Sequence, residues 1–311
     1  MISIAEAPGK IIISGEHFVV HGSQALAAAI NQNIRVSCQF SRTNTINYKH
    51  QRLTSNYNFT HDPVAVVRNK TLSYLNRKEN LSLEIESHIP RGSGLGSSSA
   101  LCVATVSSIA SLFHEKLSKK TIYDLAMNGE KIIHGNPSGI DVAVSVFGGL
   151  ILFRKGNEPK KISLDYTPEF IVSVSGKGRK TSKMINKFNN FQNLTPNYFN
   201  SLVDSSHILT KEVLQSLLQK DYIKLGSLLT FFNSTLSDFG LSTAITDQLI
   251  DLCLEFGAYG AKITGAGGGG SIIAIAPSKK TNKIIQELNN HGFKSFSVKL
   301  PQNGVRTWSQ D

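Results

Sequence analysis

At 311 residues the chain is long enough for about two domains, and an apolar share of 40% excludes a disordered chain. Lys and Arg number 33 against 22 Asp and Glu, and the net charge of +11 favours anionic ligands (nucleotide, nucleic acid or carboxylate) without choosing among them. No apolar run approaches the roughly 20 residues of a membrane span, Pro8-Gly9-Lys10 interrupts any signal-peptide core, and Cys38, Cys102 and Cys253 are too scattered for a disulfide frame or a zinc site. A soluble, cytoplasmic chain is expected.

In chain order, Lys10-Ile11-Ile12-Ile13-Ser14 reads as a short buried strand, and Ile34, Val36, Cys38 and Phe40 alternate as a second. Residues 41–62 are polar and read as hairpin and loop. Leu81, Leu83 and Ile85 alternate against Glu84 and Glu86 in a strand that stops by Pro90. A Gly/Ser stretch then opens a helix with Leu101, Ala104, Ile109, Leu112 and Phe113 on its apolar side. A second helix carries Ile122, Leu125, Ala126, Gly129, Ile132 and Ile133 at helical spacing. Polar breaks at 155–161 and at Tyr166-Thr167-Pro168 place a domain boundary near 165/166. Beyond it come a strand from Phe170 to Ser175, a basic loop, and amphipathic helices between about 180 and 256, the last capped by Ser242. A glycine-rich hairpin, the strand Ile272–Ile275, a helix around Ile284 and Leu288, and a final strand with Phe296, Val298 and Leu300 complete the pattern. Strands flank helices without strict alternation, which reads as α+β.

Four segments carry chemistry. Pro90-Arg91-Gly92-Ser93-Gly94-Leu95-Gly96-Ser97-Ser98-Ser99 lies between a strand end and an apolar helix. Glycines there allow close backbone approach and the helix start offers unpaired N–H groups, which makes an anion cradle; a merely capped helix after a flexible turn is the plain alternative. Gly265-Ala266-Gly267-Gly268-Gly269-Gly270 has more glycine than a turn needs, so a ligand or another loop must approach it. A strand follows it, which excludes the dinucleotide-binding reading of its GxGxxG spacing. Lys10 stands at a strand start, with Glu16 and His17 just past the strand's end; such a lysine can steer a phosphate, or simply face solvent. Finally, Glu130 sits beside its helix's apolar seam. The turn Gly135-Asn136-Pro137-Ser138-Gly139 can return Asp141 to the same cleft, and the valines that follow give Asp141 apolar surroundings.

Together these segments resemble the GHMP kinase superfamily of small-molecule kinases, and within it the mevalonate kinases. Pro8 to Gly22 is similar to the first family motif, Pro90 to Ala100 to the second, and Lys262 to Gly270 to the third; His134-Gly135-Asn136-Pro137-Ser138-Gly139-Ile140-Asp141 resembles a segment that marks the narrower group. The resemblance implies an α+β fold of two domains, residues 1–165 like the second domain of ribosomal protein S5 and 166–311 ferredoxin-like. It implies ATP and Mg2+ as cofactors, a homodimer, and transfer of phosphate to the 5-hydroxyl of the small carboxylic acid (R)-mevalonate, with no nucleic-acid or membrane partner. Matched residue by residue, Asp141 takes the place of the catalytic base and Lys10 of the lysine beside it. Pro90 to Ser99 corresponds to the ATP-binding loop, and Ser98 and Glu130 to the magnesium ligands. Lys10, Glu16, His17, Asp141 and Thr181 fall on the substrate side, and Gly265, Gly267, Gly268 and Gly269 form a structural glycine motif. Ser99 and Arg91 depart from the common pattern, which has alanine and a small residue there. Phosphomevalonate, 3-hydroxyl mevalonate, galactose and homoserine kinases are the alternatives within the superfamily, with a decarboxylase disfavoured by the His134 to Asp141 match. An RNA-binding protein, suggested by the charge and an S5-like half, lacks the aromatic clusters such proteins use.

Overall fold

The computed structural model describes residues 1–48, 51–53, 62–176 and 181–310. The chain opens with the long strands β1 (Ile2–Ser14) and β2 (Ala25–Phe40), joined through a short 3-10 turn at Phe18–His21, and continues with the hairpin β3 (Thr45–Tyr48) and β4 (Gln51–Leu53). Helix α1 (Pro63–Tyr74), strand β5 (Leu81–Ser87) and helices α2 (Ser97–Leu112), α3 (Lys119–His134) and α4 (Ile140–Phe147) follow, then β6 (Leu150–Phe153) and β7 (Lys160–Ile162). The rest comprises β8 (Glu169–Val174), four helices α5 (Thr181–Leu194), α6 (Pro196–Leu218), α7 (Tyr222–Asp238) and α8 (Ala244–Glu255), the hairpin β9 (Gly260–Thr264) and β10 (Ser271–Ile275), α9 (Ser278–Asn290), β11 (Lys294–Lys299) and β12 (Arg306–Gln310).

The first sheet runs β12-β1-β2-β5-β3-β4, with β6 sharing the same edge of β2 as β5 and β7 lying beside β6. The second runs β11-β8-β10-β9, all antiparallel. Counted within that sheet the order is 4-1-3-2 on a βαββαβ connection, the ferredoxin-like arrangement, with four helices after its first strand where the simple motif has one. The expected second half, 166–311, gives its last strand back to the first sheet: β12 pairs with the outer edge of β1. One apolar core joins the halves, with Ile11, Ile13 and Val103 of the first in the same cluster as Val172, Leu225 and Ile273 of the second. Phe18, in the turn after β1, inserts into the other half's core, 5.1 Å from the Phe188 ring and 6.0 Å from that of Phe239.

Several expectations are corrected. Lys10 is not at a strand start but well inside β1, because Pro8-Gly9 sits at a bulge where proline's missing N–H removes no ladder bond. Helix α1 carries no clear stripe, yet Asp62-Pro63 is a start signal: the Asp62 carboxylate accepts from the amides of Val64 and Ala65 at 2.9 and 3.0 Å. Helix α2 has no single apolar side, being buried on nearly all faces between the sheet, α1 and α3. Ile132 and Ile133 extend the spacing of the buried stripe on α3, but the helix's last turn leaves the packed layer and they are exposed; the buried residue beside them is Glu130. The cap of α8 is Thr243, in a reciprocal capping box with Thr246, while Ser242 donates to Asp247. The strand at 294–299 is not the last, since β12 follows; its edge position leaves it exposed and without a buried-face pattern.

One packing contact sets the position of the glycine hairpin. Where α7 crosses β9, a Cβ on Gly260 would overlap the backbone carbonyl of Gly226. Gly260→Ala is therefore expected to cost about 2–3 kcal/mol, the scale of overpacking a core, read as a lower urea midpoint at unchanged slope. A wild-type midpoint would show that α7 shifts freely.

Candidate active site

A cleft of about 470 Å³ lies between the halves, lined by Lys10, Glu16 and His17 from the β1 side, Glu130, His134 and residues 136–141 from α3 and α4, and Phe188, Gly265 and Ala266 from the second half. Lys10 is 1% exposed, and its Nζ lies 3.2 Å from Asp141 Oδ1. Asp141 stands in the first turn of α4, behind Gly139 in the left-handed conformation, where the helix dipole favours a carboxylate. Its apolar surroundings are corrected: Val142, Ala143 and Val144 are buried on the other faces of α4, whereas Asp141 is 26% exposed and lines the cleft.

The Gly/Ser loop is fastened to β1 and to the second sheet. The Lys10 amide donates to Leu95 O at 2.8 Å, and Ser271 Oγ donates to Ser93 O at 2.9 Å. Gly96 begins α2 at φ +76°, and no side chain caps that helix. A Cβ at Gly96 would come within 2.8 Å of Lys10 Cγ, so loop and lysine fit only around a glycine. Ser93 and Leu95 are buried, Pro90, Gly94, Ser97 and Ser98 are half-buried, and Arg91 and Gly92 are exposed. The uncapped helix start suits a phosphate chain.

Ser98 connects this loop to the cleft: its Oγ lies 3.5 Å from His134 Nε2, which is 3.8 Å from Glu130 Oε2. Glu130 is 2% exposed and its Oε1 has no hydrogen-bond partner within 3.5 Å. Burial pushes its carboxyl above the usual range and the Asp141 charge pushes it further, while His134 and the Ser98 and Ser99 hydroxyls pull it down. An oxygen-rich, under-partnered acid beside a serine hydroxyl fits a hard divalent cation such as Mg2+.

The glycine motif begins on the cleft wall, which Gly265 and Ala266 line. Gly265, Gly267, Gly268 and Gly269 all have positive φ. The close neighbour of this backbone is another loop: the Gly268 amide donates to Leu241 O at 2.7 Å, and a Cβ at Gly267 would strike that same carbonyl. The hairpin also grips β1. Thr264 Oγ1 accepts from the Ile12 amide at 2.8 Å and donates to the Ile12 carbonyl at 3.0 Å. His17, itself at φ +63°, places Nε2 3.0 Å from Ala266 O, which puts the proton on that nitrogen.

Two residues escaped the sequence reading as site members. His134 was signalled by its i, i+4 spacing from Glu130 on one helix face. Lys262 was signalled only by a charge inside the apolar strand Ala261-Lys262-Ile263; it is fully buried and ion-paired with Glu16. Burial pushes the Glu16 carboxyl up and the Lys262 ammonium down, and each partner offsets part of the other's shift. Residues 177–180, with the cations Lys177, Arg179 and Lys180, lie outside the described residues, as does the side chain of Thr181, whose backbone begins α5.

An anion-binding helix start, a paired lysine and aspartate, and a buried acid suited to a cation, grouped at one interdomain cleft, define a phosphotransferase. Comparison with known proteins agrees. Residues 63–149 match the GHMP kinases N terminal domain and 213–294 the GHMP kinases C terminal domain. A mevalonate kinase of Aeropyrum pernix is 30% identical over 315 residues, covering 97% of each chain. One of Archaeoglobus fulgidus is 34% identical over 303 residues, covering 97% of this chain and 99% of its own. The crystal structure of L. major mevalonate kinase in complex with R-mevalonate superposes with a TM-score of 0.83 at 25% identity, over 96% of both chains. The chain belongs to the GHMP kinases and is an ATP-dependent small-molecule kinase.

Proposed function

We propose that the chain is a mevalonate kinase, transferring the γ-phosphoryl group of ATP to the 5-hydroxyl of (R)-mevalonate. The observation that carries the reading is the Lys10–Asp141 pair at 3.2 Å on the wall of a cleft beside the uncapped start of α2. Relatives bearing that activity in their names, at 30–34% identity along nearly the whole chain, support the choice of substrate.

In this reading Asp141 accepts the proton of the 5-hydroxyl, and Lys10 stabilises the negative charge that develops on its oxygen. That oxygen forms the new bond to the γ-phosphorus as the bond to the β-phosphate oxygen breaks; ADP leaves, and the proton stays on Asp141. Such transfers need positioning and charge neutralisation more than covalent help. Positioning comes from the loop of Gly92 to Ser99, whose backbone cradles the phosphates, with Pro90 and Arg91 at its entry. Ser98 and Glu130 would hold Mg2+, which when bound supplies positive charge against the phosphate oxygens. Glu16 and His17, on the cleft wall, take the substrate side. Thr181 keeps its substrate-side place on the family resemblance alone, as do a homodimer and a cytoplasmic setting.

The test is a coupled ADP-release assay on a panel of mevalonate, phosphomevalonate, galactose and homoserine. Mevalonate is expected to give the highest kcat/KM. Turnover of another member with mevalonate silent would move the chain to a different branch of the same family.

A further inference from the structure

We propose that Lys262 is a positioning residue for the transfer: reaching across from the second sheet, it orients the Glu16 carboxylate in the cleft wall and, through it, the Lys10 ammonium. The inference rests on the kinase reading and adds to it a residue that touches neither substrate nor phosphate.

Lys262 lies in the middle of β9 and is 0% exposed, one of the largest fully buried side chains of the molecule together with Lys10. Its Nζ donates to Glu16 Oε1 and, at 2.6 Å, to the carbonyl of Ile263, and it stands 5.5 Å from the centre of the Phe232 ring. Two acceptors and an aromatic face hold the ammonium in one place. Stability alone does not explain it, because an apolar side chain commonly serves as well as, or better than, a buried ion pair. The seam between β1 and β9 is already closed without it, by the reciprocal Ile12–Thr264 hydrogen bonds and by His17 on Ala266.

What Lys262 does provide is an alternating row of charges across the two halves: Asp141, Lys10, Glu16, Lys262. Asp141 and Lys10 are in direct contact, Glu16 and Lys262 are in direct contact, and the two pairs meet on the lining of one cleft, where Glu16 and Lys10 make no direct ion pair and act on each other through space. Glu16 is 1% exposed and lines the cleft, so without Lys262 its carboxylate would lose the one cation that hydrogen-bonds it among the described residues. A buried carboxylate so deprived takes up a proton. Among the described residues the one carboxylate in contact with Lys10 would still be Asp141, the group that must itself be neutralised when it accepts the hydroxyl proton. Lys262 thus keeps an anion behind Lys10 throughout the transfer.

The test is a double-mutant cycle on the full chain with Lys262→Met, Glu16→Gln and the double variant. Kinetics are read with the alcohol that the wild type turns over best, and folding by thermal melting. Lys262→Met is expected to melt cooperatively and to lose about a hundredfold in kcat/KM for the alcohol, the scale of a roughly 1 Å misplacement, at unchanged KM for ATP. The double variant is expected to be no slower than Glu16→Gln alone, because Lys262 acts only through Glu16. Wild-type kcat and alcohol KM in a folded Lys262→Met protein would overturn the proposal. So would losses that multiply in the double variant. If Lys262→Met does not fold, the comparison of Glu16→Gln with the double variant, which leaves no unpaired buried charge, decides in the same way. A wild type that phosphorylates no alcohol would instead sink the kinase reading itself, whereas an inert Lys262 leaves that reading standing.

Discussion

Replacing Asp141 with Asn is expected to lower kcat by about 10²–10⁴-fold, the range for loss of a positioned general base, while leaving ATP affinity within about twofold of wild type. The substitution keeps the size and planarity of the side chain, so the packing of α4 and its start at Gly139 are retained. It removes the charge that Lys10 faces at 3.2 Å and the site that accepts the hydroxyl proton. Nucleotide binding stands apart, because the loop that cradles the phosphates is anchored by Leu95 on the Lys10 backbone and by Ser93 on Ser271, neither of which involves Asp141. Steady-state kinetics together with nucleotide titration calorimetry separate the two effects. Wild-type turnover would remove Asp141 from the chemistry, and a loss confined to ATP affinity would reassign it to the phosphate side.

Gly96→Val is expected to abolish measurable turnover and to weaken ATP binding by at least about tenfold in Kd, with the first sheet still folded. Two effects add. A β-branched residue at φ +76° is a true conformational outlier. Its Cβ would also meet Lys10 Cγ at 2.8 Å, so the loop and the lysine cannot both keep their places. The damage is local, since α2 is held by Cys102, Val103, Val106 and Ile109 deep in the core, beyond the reach of its first turn. Circular dichroism and melting report the fold, and ATP titration reports the cradle. Normal ATP affinity in a folded variant would show that the loop is only a turn.

The amino-acid sequence by itself singled out most of the residues that meet at the cleft and its adjoining loops. The glycine-serine loop, the glycine hairpin and the residues Lys10, Glu130 and Asp141 stood out because their types conflict with their local settings: glycine without a turn to make, charge beside apolar runs. Period-two alternation likewise marked the strands at 34–38 and 81–85, whose two faces see different surroundings, although Phe40, read as continuing the first, lies 52% exposed at the end of β2. Where surroundings are alike on all sides, no period exists to read. That is why the alanine-rich start of β2, pressed between β1 and β6, gave no face, and why the apolar side read for α2 was only part of a helix buried nearly all round. It is also why β12, exposed throughout on an edge, left no pattern at all. Only the tertiary structure decided that Ile132 and Ile133 point outward while Glu130 points in, because helical spacing names a stripe but not the length over which neighbours cover it. And only the tertiary structure joined Lys262 to Glu16 across 246 positions of chain, since a charge inside an apolar strand marks Lys262 but does not name its partner, which depends on which strands are brought together.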